Sequence, residues 1–497
     1  MANDILKEVV TQQVQRMCFE PHPAVTISDW RVDSGGVQLG QVTINTLSDD
    51  ALLYVFCFYV AGVEWRTLVH VCQRWRTLVF ASSRRLNLRI SCTRNIPVKE
   101  LDVWRHLPIA ISNYGGIPKS AHCIKAALEH HERVCEIKLH SISGSELAEV
   151  FAALEAPFPV LTDLYLASDG STIIPNPEKS FHGSTSLQSL SFSSIPVPGL
   201  PGLLLSSTNL RVVNLYDIPS FSPREMVTAL SALTRLEALH IIGHKGEPDQ
   251  LNLDRESQHS PLPPRAILPS LTVFEFEAFS EYLEDFMARI DAPLLNYLNI
   301  SFICSSVDQD SDIELETPQL LRFISYIPKF QAPDKAFVGM GAFIGKFWIS
   351  FSWPTPISSA LRLEVHHPYA EQHMSHLAQF CRSPLFPLPT LEHLYTCGGG
   401  PGGDLLILCR QGYTRWLELF QPFTAVKNLY LSKSDVKRVT PALQNLVGDR
   451  AMEVLPALEK FFISGWLSGP VHEAIEQFAA ARQLSGHPIV ISPWNSA

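Results

Sequence analysis

Histidines form the densest group of side chains in this sequence that could bind a metal ion: His366, His367, His373 and His376. His373 and His376 are three residues apart, so one turn of helix would place both imidazoles on the same side. A zinc site needs further ligands at matched spacing, and the sequence has neither an HExxH motif nor closely paired cysteines. We therefore predict no metal and interpret these histidines as solvated or capping residues. A metal-dependent hydrolase built on His373 and His376 is the alternative that metal analysis would test.

Other sequence signatures of catalysis are incomplete. The glycine-rich segment from Cys397 to Asp404 lacks the Gly-Lys-Ser/Thr ending of a phosphate-binding loop, and Pro401 removes one backbone donor. There is no Gly-x-Ser-x-Gly nucleophile elbow, and the cysteines are scattered without a Cys-x-x-Cys pair. The sequence therefore predicts a non-catalytic protein without a cofactor, with the reduced cysteines of a cytoplasmic or nuclear location.

Composition limits the class of protein further. The chain has 497 residues, 46% hydrophobic and 18% charged, which is enough for a large core and too apolar for global disorder. The net charge of −10 argues against nucleic-acid binding, which needs basic surfaces. The N-terminus lacks the apolar core of a signal peptide, and no stretch approaches the roughly 18 apolar residues of a membrane helix. We expect neither a nucleic-acid nor a membrane partner.

Two amphipathic segments follow a tail that we predict over residues 1–43. Thr46 or Ser48 can cap the first helix, whose apolar stripe contains Leu52, Val55, Phe56 and Tyr59. The second segment has its own stripe. Together they hold more large apolar groups than a small helical unit can bury within itself. Either both helices pack on the rest of the chain, or part of the apolar face binds a partner helix. The second stripe consists of Trp65, Leu68, Cys72, Trp75 and Val79.

These two segments resemble the F-box. The family's Leu-Pro-x-Glu-Ile-Leu opening, following Ile/Val-Phe and closing Leu-x-x-Val-Cys-x-x-Trp correspond here to LSDDAL, VF and LVHVCQRW. Ser48 replaces the usual proline and Ala51 the usual isoleucine. The resemblance places an F-box over 44–90 and implies binding to Skp1 and, through it, to a cullin–RING ubiquitin ligase whose E2 performs the chemistry. The Skp1-contact residues that it implies are Leu47, Leu52, Val55, Phe56, Leu68, Val71, Cys72 and Trp75.

The rest of the chain repeats a Leu-x-x-Leu-x-Leu pattern. The first copies are 23 to 27 residues apart, as in leucine-rich repeats. Two residues before most copies lies a proline or a threonine, which suits the boundary between a helix and an extended segment. The copies begin at Val134, Leu161, Leu187, Leu210, Leu236, Leu271, Leu295, Leu391, Val426 and Leu458, with weaker ones at Pro333 and Ala360.

Each repeat predicts a short strand followed by a helix. Stacked repeats form a parallel sheet on the concave side and a layer of helices on the convex side. The predicted fold class is therefore α/β: a small all-helical F-box module followed by a leucine-rich-repeat-like α/β solenoid over 131–497, with a helical linker over 91–130. The clearest predicted helices are Glu146–Leu154, Glu225–Leu233 and Tyr282–Ile290.

The spacing of the repeats is irregular in three places. Only the two weaker copies occur between Leu295 and Leu391, which predicts an interrupted array there. Lys245–Pro264 is rich in proline and charge, and Ser305–Thr317 is acidic. We expect both inserts to be exposed loops.

The chain from about Ile44 to Trp494 is also similar to a large family of F-box proteins from mushroom-forming, basidiomycete fungi. The similarity lies in WRTLVHVCQRWRTLVFASSRRLNL, ALEHHERVCEIKL, SEYLEDFMARIDAPLLNYLNI and PFTAVKNLYLSK. It implies a substrate receptor of an SCF-type ubiquitin ligase. The alternative is a leucine-rich-repeat scaffold whose F-box-like segment does not engage Skp1. Outward strand positions supply the predicted substrate anchors, namely Tyr165, His240, Tyr297, Tyr395 and Tyr430.

Overall fold

A computed structural model describes most of the chain as two compact units, residues 1–87 and 88–497. The predicted tail, the insert Lys245–Pro264 and all of Ser305–Thr317 except Thr317 lie outside the described residues. The described ranges are 47–60, 65–92, 101, 103–113, 121–168, 186–197, 199–218, 221–243, 265–303, 317–331, 333–340, 346–352, 360–366, 370–383, 388–397, 413–446, 448–465 and 469–494.

The first unit is helical, as predicted. It contains α1 (Asp49–Val60), α2 (Arg66–Val69) and α3 (Gln73–Ala81). Ser48 caps α1, because its Oγ accepts a hydrogen bond from the Ala51 amide at 3.2 Å. Cys72 caps α3 in the same way, with its Sγ 3.5 Å from the Trp75 amide nitrogen.

The second unit is built on one sheet. Its order is β1-β2-β3-β4-β5-β6-β7-β9-β11-β14-β13-β12-β15-β16-β17-β18, with β8 and β10 forming a separate pair. The strands are β1 (Ile90–Cys92), β2 (Ile109–Ser112), β3 (Val134–Ile142), β4 (Asp163–Ser168), β5 (Ser189–Ser193), β6 (Val212–Ile218), β7 (Ala238–Gly243), β8 (Ala266–Ile267), β9 (Val273–Ala278), β10 (Ile290–Asp291), β11 (Tyr297–Ile303), β12 (Lys335–Met340), β13 (Lys346–Ser352), β14 (Ala360–His366), β15 (His393–Cys397), β16 (Asn428–Leu431), β17 (Lys460–Ser464) and β18 (Val490–Trp494).

Helices connect successive strands. They are α4 (Ala121–Leu128), α5 (Gly144–Ala153), α6 (Leu200–Ser206), α7 (Pro223–Leu230), α8 (Ser280–Met287), α9 (Pro318–Tyr326), α10 (Ala370–Cys381), α11 (Tyr413–Phe420), α12 (Lys433–Gln444) and α13 (Pro470–Leu484). No helix within the described ranges has the length and apolar character needed to cross a membrane.

The leucine repeats fix the register of the parallel strands. Leu164 pairs with Leu190, which pairs with Val213, and the row continues through Leu239 to Phe274. All five side chains are buried. A shift of one residue would turn this row to solvent, so burial enforces the alignment. The repeat region is thus a leucine-rich-repeat-like α/β solenoid, as the sequence predicted.

Helices cover one face of the sheet and contribute rings to its core. Phe151 of α5 lies 6.3 Å from Phe192 of β5, and Phe286 of α8 lies 5.3 Å from Phe276 of β9, between ring centroids. Ser143 begins α5 with a capping box, in which Glu146 bonds back to the Ser143 amide. Strand residues that alternate with the buried ones point away from these helices, and we call that side the open face.

The sheet begins earlier than the sequence predicted. Residues 91–130 were expected to be a helical linker, yet the described part of this segment contains β2 and most of β1 besides the helix α4. Ile90 pairs with Ile109, which pairs in turn with Val134 at the first predicted repeat. These two strands lack the full leucine pattern, so the repeats did not predict them.

The irregular region near 340–360 reverses the order of the sheet. β13 runs antiparallel between β14 and β12, so the weak copy at Ala360 lies beside β11, and the copy at Pro333 lies beside β15. The expected interruption is therefore an added strand within a continuous sheet. The connections over 341–345 and 353–359 are too short for the crossover of a dozen or more residues that parallel neighbours need, so β13 must run antiparallel.

Gly243 provides a test of how tightly the strands pack. A Cβ placed there would lie 2.7 Å from the Glu277 carbonyl oxygen of the neighbouring strand. We expect Gly243→Ala to lower the free energy of unfolding by about 1–3 kcal/mol, because backbone cannot move aside as a side chain can. At Gly339 the nearest atoms belong to the Trp348 side chain, so Gly339→Ala should cost less. Urea midpoints compare the two, and an equal or smaller loss for Gly243→Ala would contradict this account.

Candidate functional site

The helical unit buries part of the predicted Skp1-contact set. Leu52, Phe56 and Leu68 are between 0% and 3% exposed. Phe56 also packs against Trp75, with ring centroids 4.7 Å apart. Leu52, Phe56 and Leu68 thus belong to the core of the unit, together with Val79, and their contact with Skp1 stays a prediction.

Other members of the predicted set face solvent. Val55 is 47% exposed and Val71 is 56% exposed. Tyr54, which the motif did not single out, is 64% exposed. Leu47, Cys72 and Trp75 are half-buried. Exposed apolar side chains on so small a unit are the groups that a partner could cover.

Arg74 was missed by the sequence analysis and fixes the start of α1. Its guanidinium donates to the Leu47 carbonyl at 2.6 Å and forms an ion pair with Asp49 at 2.7 Å. The arginine of the VCQRW segment therefore holds the turn in which Ser48 replaces the family's proline. The signal was present in the sequence, since Arg74 and Asp49 lie in the two matched segments.

An aromatic row runs across the C-terminal part of the open face. Phe337, Tyr395, Tyr430 and Phe462 occupy the same position on β12, β15, β16 and β17. Neighbouring ring centroids are 4.7, 4.1 and 4.4 Å apart, and their planes differ by 15°, 9° and 5°. We call these four residues the aromatic ladder. Because the rings stack face to face, they present their edges to solvent.

Trp494 and His393 border the aromatic ladder. The Trp494 ring meets Tyr430 edge-on at 5.5 Å and Tyr395 at 5.9 Å. The Tyr430 hydroxyl and His393 Nδ1 are 3.4 Å apart. Burial raises the pKa of Tyr395 to about 12, with Tyr430 beside it adding to the effect. The Tyr395 hydroxyl therefore remains a hydrogen-bond donor at neutral pH.

Tyr395 and Tyr430 were predicted as substrate anchors, whereas Phe337, Phe462 and Trp494 were missed. Phe337 and Phe462 lie between the two inward residues of their repeats, as Tyr395 does. Aligning that middle position across all copies would have found them. Trp494 lies beyond the last leucine repeat, and the repeat pattern gave no signal for it.

The N-terminal part of the open face is polar. Tyr165, Ser191, Asn214, His240 and Glu275 follow one another across five strands. His240, a predicted anchor, is 6% exposed and its Nδ1 is 2.8 Å from Glu275 Oε2, so this histidine is mainly a structural partner of the glutamate. Tyr165 is half-buried and packs 4.4 Å from the His140 ring. Tyr297 is the remaining predicted anchor. It lies on β11 two residues before Asn299, which is the residue that pairs with Glu275, so Tyr297 belongs to the neighbouring row of the open face.

Glu364 contacts several polar side chains at the position where β11, β14 and β13 are neighbours. Its carboxylate accepts from Arg362 at 2.6 Å, from Ser301 at 3.4 Å and contacts His366 at 3.3 Å. Arg362 also lies over the Trp348 ring, 4.4 Å from its centroid. The serine and the histidine both face the carboxylate, so the arrangement is not that of a serine activated by a histidine base.

The histidine cluster of the sequence is divided by the fold. His366 ends β14 and contacts Glu364, whereas His376 lies on α10. His367 and the His373 side chain lie outside the described residues, as does the glycine-rich segment after Cys397. Within the described part of the chain, no three histidine, cysteine or acidic side chains are grouped as metal ligands.

Comparisons of sequence and of structure with known proteins differ in outcome. No family model and no curated protein matches the sequence. Among solved structures, the crystal structure of the leucine-rich repeat-containing protein LegL7 from Legionella pneumophila is similar to this chain at 14% identity, with a TM-score of 0.29. The match covers 81% of this chain and 99% of that chain. The functional proposal below therefore rests on the geometry of this chain.

Proposed function

We propose that this chain is a non-catalytic substrate receptor of an SCF-type cullin–RING ubiquitin ligase. Its helical unit would bind Skp1, and the open face of its repeat sheet would bind a protein substrate. The observation that supports this best is the aromatic ladder, a row of half-exposed rings on a sheet whose register is fixed by burial. Clustered aromatic side chains on a rigid surface are the usual anchors of protein interfaces.

The helical unit supports the Skp1-binding part of the proposal. It matches the F-box motif at its opening and closing segments, and it leaves Tyr54, Val55 and Val71 exposed. A partner helix would bury these apolar groups. Because Leu52 and Phe56 are core residues, a test of binding must change exposed side chains instead.

Co-purification with Skp1 tests the proposal. We expect a stoichiometric complex with the unaltered chain. Val55→Asp and Val71→Asp should each weaken it by about tenfold or more, because each places a carboxylate in an apolar contact. Thr77→Asp is the matched control: it adds the same charge at an exposed polar position of α3 and should leave binding unchanged.

Two outcomes would contradict the proposal. If a folded chain forms no complex with purified Skp1, the receptor function fails and the scaffold alternative is favoured. If the complex forms but neither valine variant weakens it, the assignment of the contact surface is wrong. Circular dichroism of each variant must match that of the unaltered chain for either conclusion.

A further inference from the structure

We propose that the aromatic ladder binds an extended acidic segment of a partner protein. This inference specifies the class of substrate and rests on the proposed function. It follows from the charges beside the ladder, the orientation of its rings and the spacing of its cations.

A basic row flanks the aromatic ladder. Two residues before each ring, on the same face, lie Lys335, His393, Asn428 and Lys460. Neither lysine has an ion-pair partner among the described residues. The open-face positions of β12 and β15 to β18 that the structure describes include no acidic side chain. Two cations beside an aromatic surface, unpaired within the described part of the chain, favour an anionic ligand.

Three carboxylates border this row, each at the residue before a strand begins. Asp334, Glu392 and Glu459 each precede a member of the basic row by one residue, and the Asp334 carboxylate helps to raise the pKa of Tyr395. Glu392 is already paired with Lys427, 2.6 Å away. The basic row itself therefore contains no carboxylate, and Asp334 and Glu459 lie at its border.

The polar half of the open face differs in its electrostatics. Two of its described cations are already paired: Lys138 lies 2.7 Å from Glu136, and Arg362 lies 2.5 Å from Glu364. Asp163 and Glu277 add negative charge at open-face positions of the same half. An acidic segment would be repelled there and attracted to the aromatic ladder, so charge selects one half of the sheet.

The stacking of the ladder selects peptide over single-stranded nucleic acid. A nucleic-acid platform stacks bases on exposed ring faces. Here the faces of Tyr395 and Tyr430 cover one another at 4.1 Å, and the edges remain exposed. Ring edges have a positive electrostatic potential, which suits the carboxylates and carbonyl oxygens of a peptide.

The spacing of the two lysines suits an extended chain. Lys335 on β12 and Lys460 on β17 are separated by three neighbouring-strand steps, about 14 Å in all. Four residues of an extended peptide cover about the same distance. Acidic residues four positions apart, with apolar residues between them, would therefore reach both lysines while lying over the ladder.

Fluorescence anisotropy with three labelled probes tests this. The probes are the peptide GETFTEVG, its neutral counterpart GQTFTQVG, and a twelve-nucleotide oligo-U RNA. At about 0.1 M salt, where charges act over roughly 10 Å, we expect the acidic peptide to bind the full chain about tenfold more tightly than the neutral one. Lys335→Glu combined with Lys460→Glu should remove this preference. Lys125→Glu combined with Lys437→Glu, the same charge change at exposed helix positions, should retain it.

The ring itself is tested at Tyr430. Tyr430→Ala should lower the affinity for the acidic peptide about tenfold. Tyr430→Phe keeps the stacked rings, so its affinity should be within about twofold of that of the unaltered chain. Equal binding of the acidic and neutral peptides, or unchanged binding by the double lysine variant, overturns the inference. Tighter binding of the RNA than of the acidic peptide at the same lysines also overturns it.

Skp1 binding by the same preparations separates this inference from the proposed function. A chain that binds Skp1 but shows no preference for the acidic peptide contradicts only the inference about the aromatic ladder. A folded chain that prefers the acidic peptide but binds no Skp1 contradicts the receptor function and still supports the acidic-segment site.

Discussion

Replacing Arg482 by methionine is expected to lower the free energy of unfolding of the last repeats by about 3–5 kcal/mol. The Arg482 side chain is 0% exposed. Its Nη1 donates to the carbonyls of Ala451 and Leu455, and its Nη2 to those of Pro456 and Leu458, over distances from 3.0 to 3.2 Å. Burial lowers the pKa of Arg482, so desolvation opposes the charge and the four carbonyls offset it.

The expected loss comes from the acceptors that methionine leaves behind. Methionine has a similar length but no N–H groups, so these four carbonyls would lose a donor, and the Leu455 carbonyl would keep the Leu458 amide at 3.0 Å. Leu455 has a φ of 49°, a left-handed conformation that is unfavourable for leucine and that Arg482 helps to hold. The turn before β17 should therefore open, and the amides of β17 should exchange faster with solvent.

Hydrogen exchange of β17 and urea unfolding measure this effect. Arg450→Met is the matched control, because Arg450 is exposed and forms a surface ion pair with Glu453 at 3.1 Å. Its loss should be within about 1 kcal/mol. If Arg482→Met proved no more costly than Arg450→Met, the four carbonyls would have found other donors and the assigned role would be wrong.

Leu52→Asp is expected to unfold the helical unit while leaving the repeat sheet folded. Leu52 is 0% exposed, and burying a carboxylate without a partner costs several kcal/mol. A unit of this size has little stability to lose. The sheet should keep its protection from exchange, because its core residues belong to a separate compact unit.

Exchange measured segment by segment distinguishes the outcomes. Amides of α1 and α3 should lose protection in Leu52→Asp, whereas those of β6 and β7 should keep theirs. Tyr54→Asp adds the same charge at a position that is 64% exposed and should change stability by less than about 0.5 kcal/mol. Protection retained throughout the Leu52→Asp variant would show that Leu52 is not a core residue.

This prediction also decides how Skp1 binding must be tested. A Leu52→Asp variant would lose Skp1 through unfolding, whatever surface the partner uses. Val55→Asp and Val71→Asp change exposed positions, so a loss of binding with an intact fold reports on contact. The burial of Leu52 could not be deduced from the motif, because the same apolar stripe serves a core and an interface equally well.

The sequence by itself determined the helical unit, the repeated strands and their register. Ser48 caps α1 as expected, since capping depends on residues three positions apart. The repeated leucines dictate which strand residues face the helices, because a slip of one residue would expose them all. Two of the four ladder residues, Tyr395 and Tyr430, followed from the same alternation.

Only the tertiary structure decided what those elements bring together. β13 lies between β14 and β12, and this places Phe337 against Tyr395 of β15. That pairing joins residues far apart in sequence and depends on which strand edges remain open, which no local pattern encodes. The contact of Trp494 with Tyr430, and the lack of ion pairs between the two flanking lysines and other described residues, are likewise properties of neighbours across the sheet. The order of strands, rather than the repeats alone, therefore builds the surface to which we assign binding.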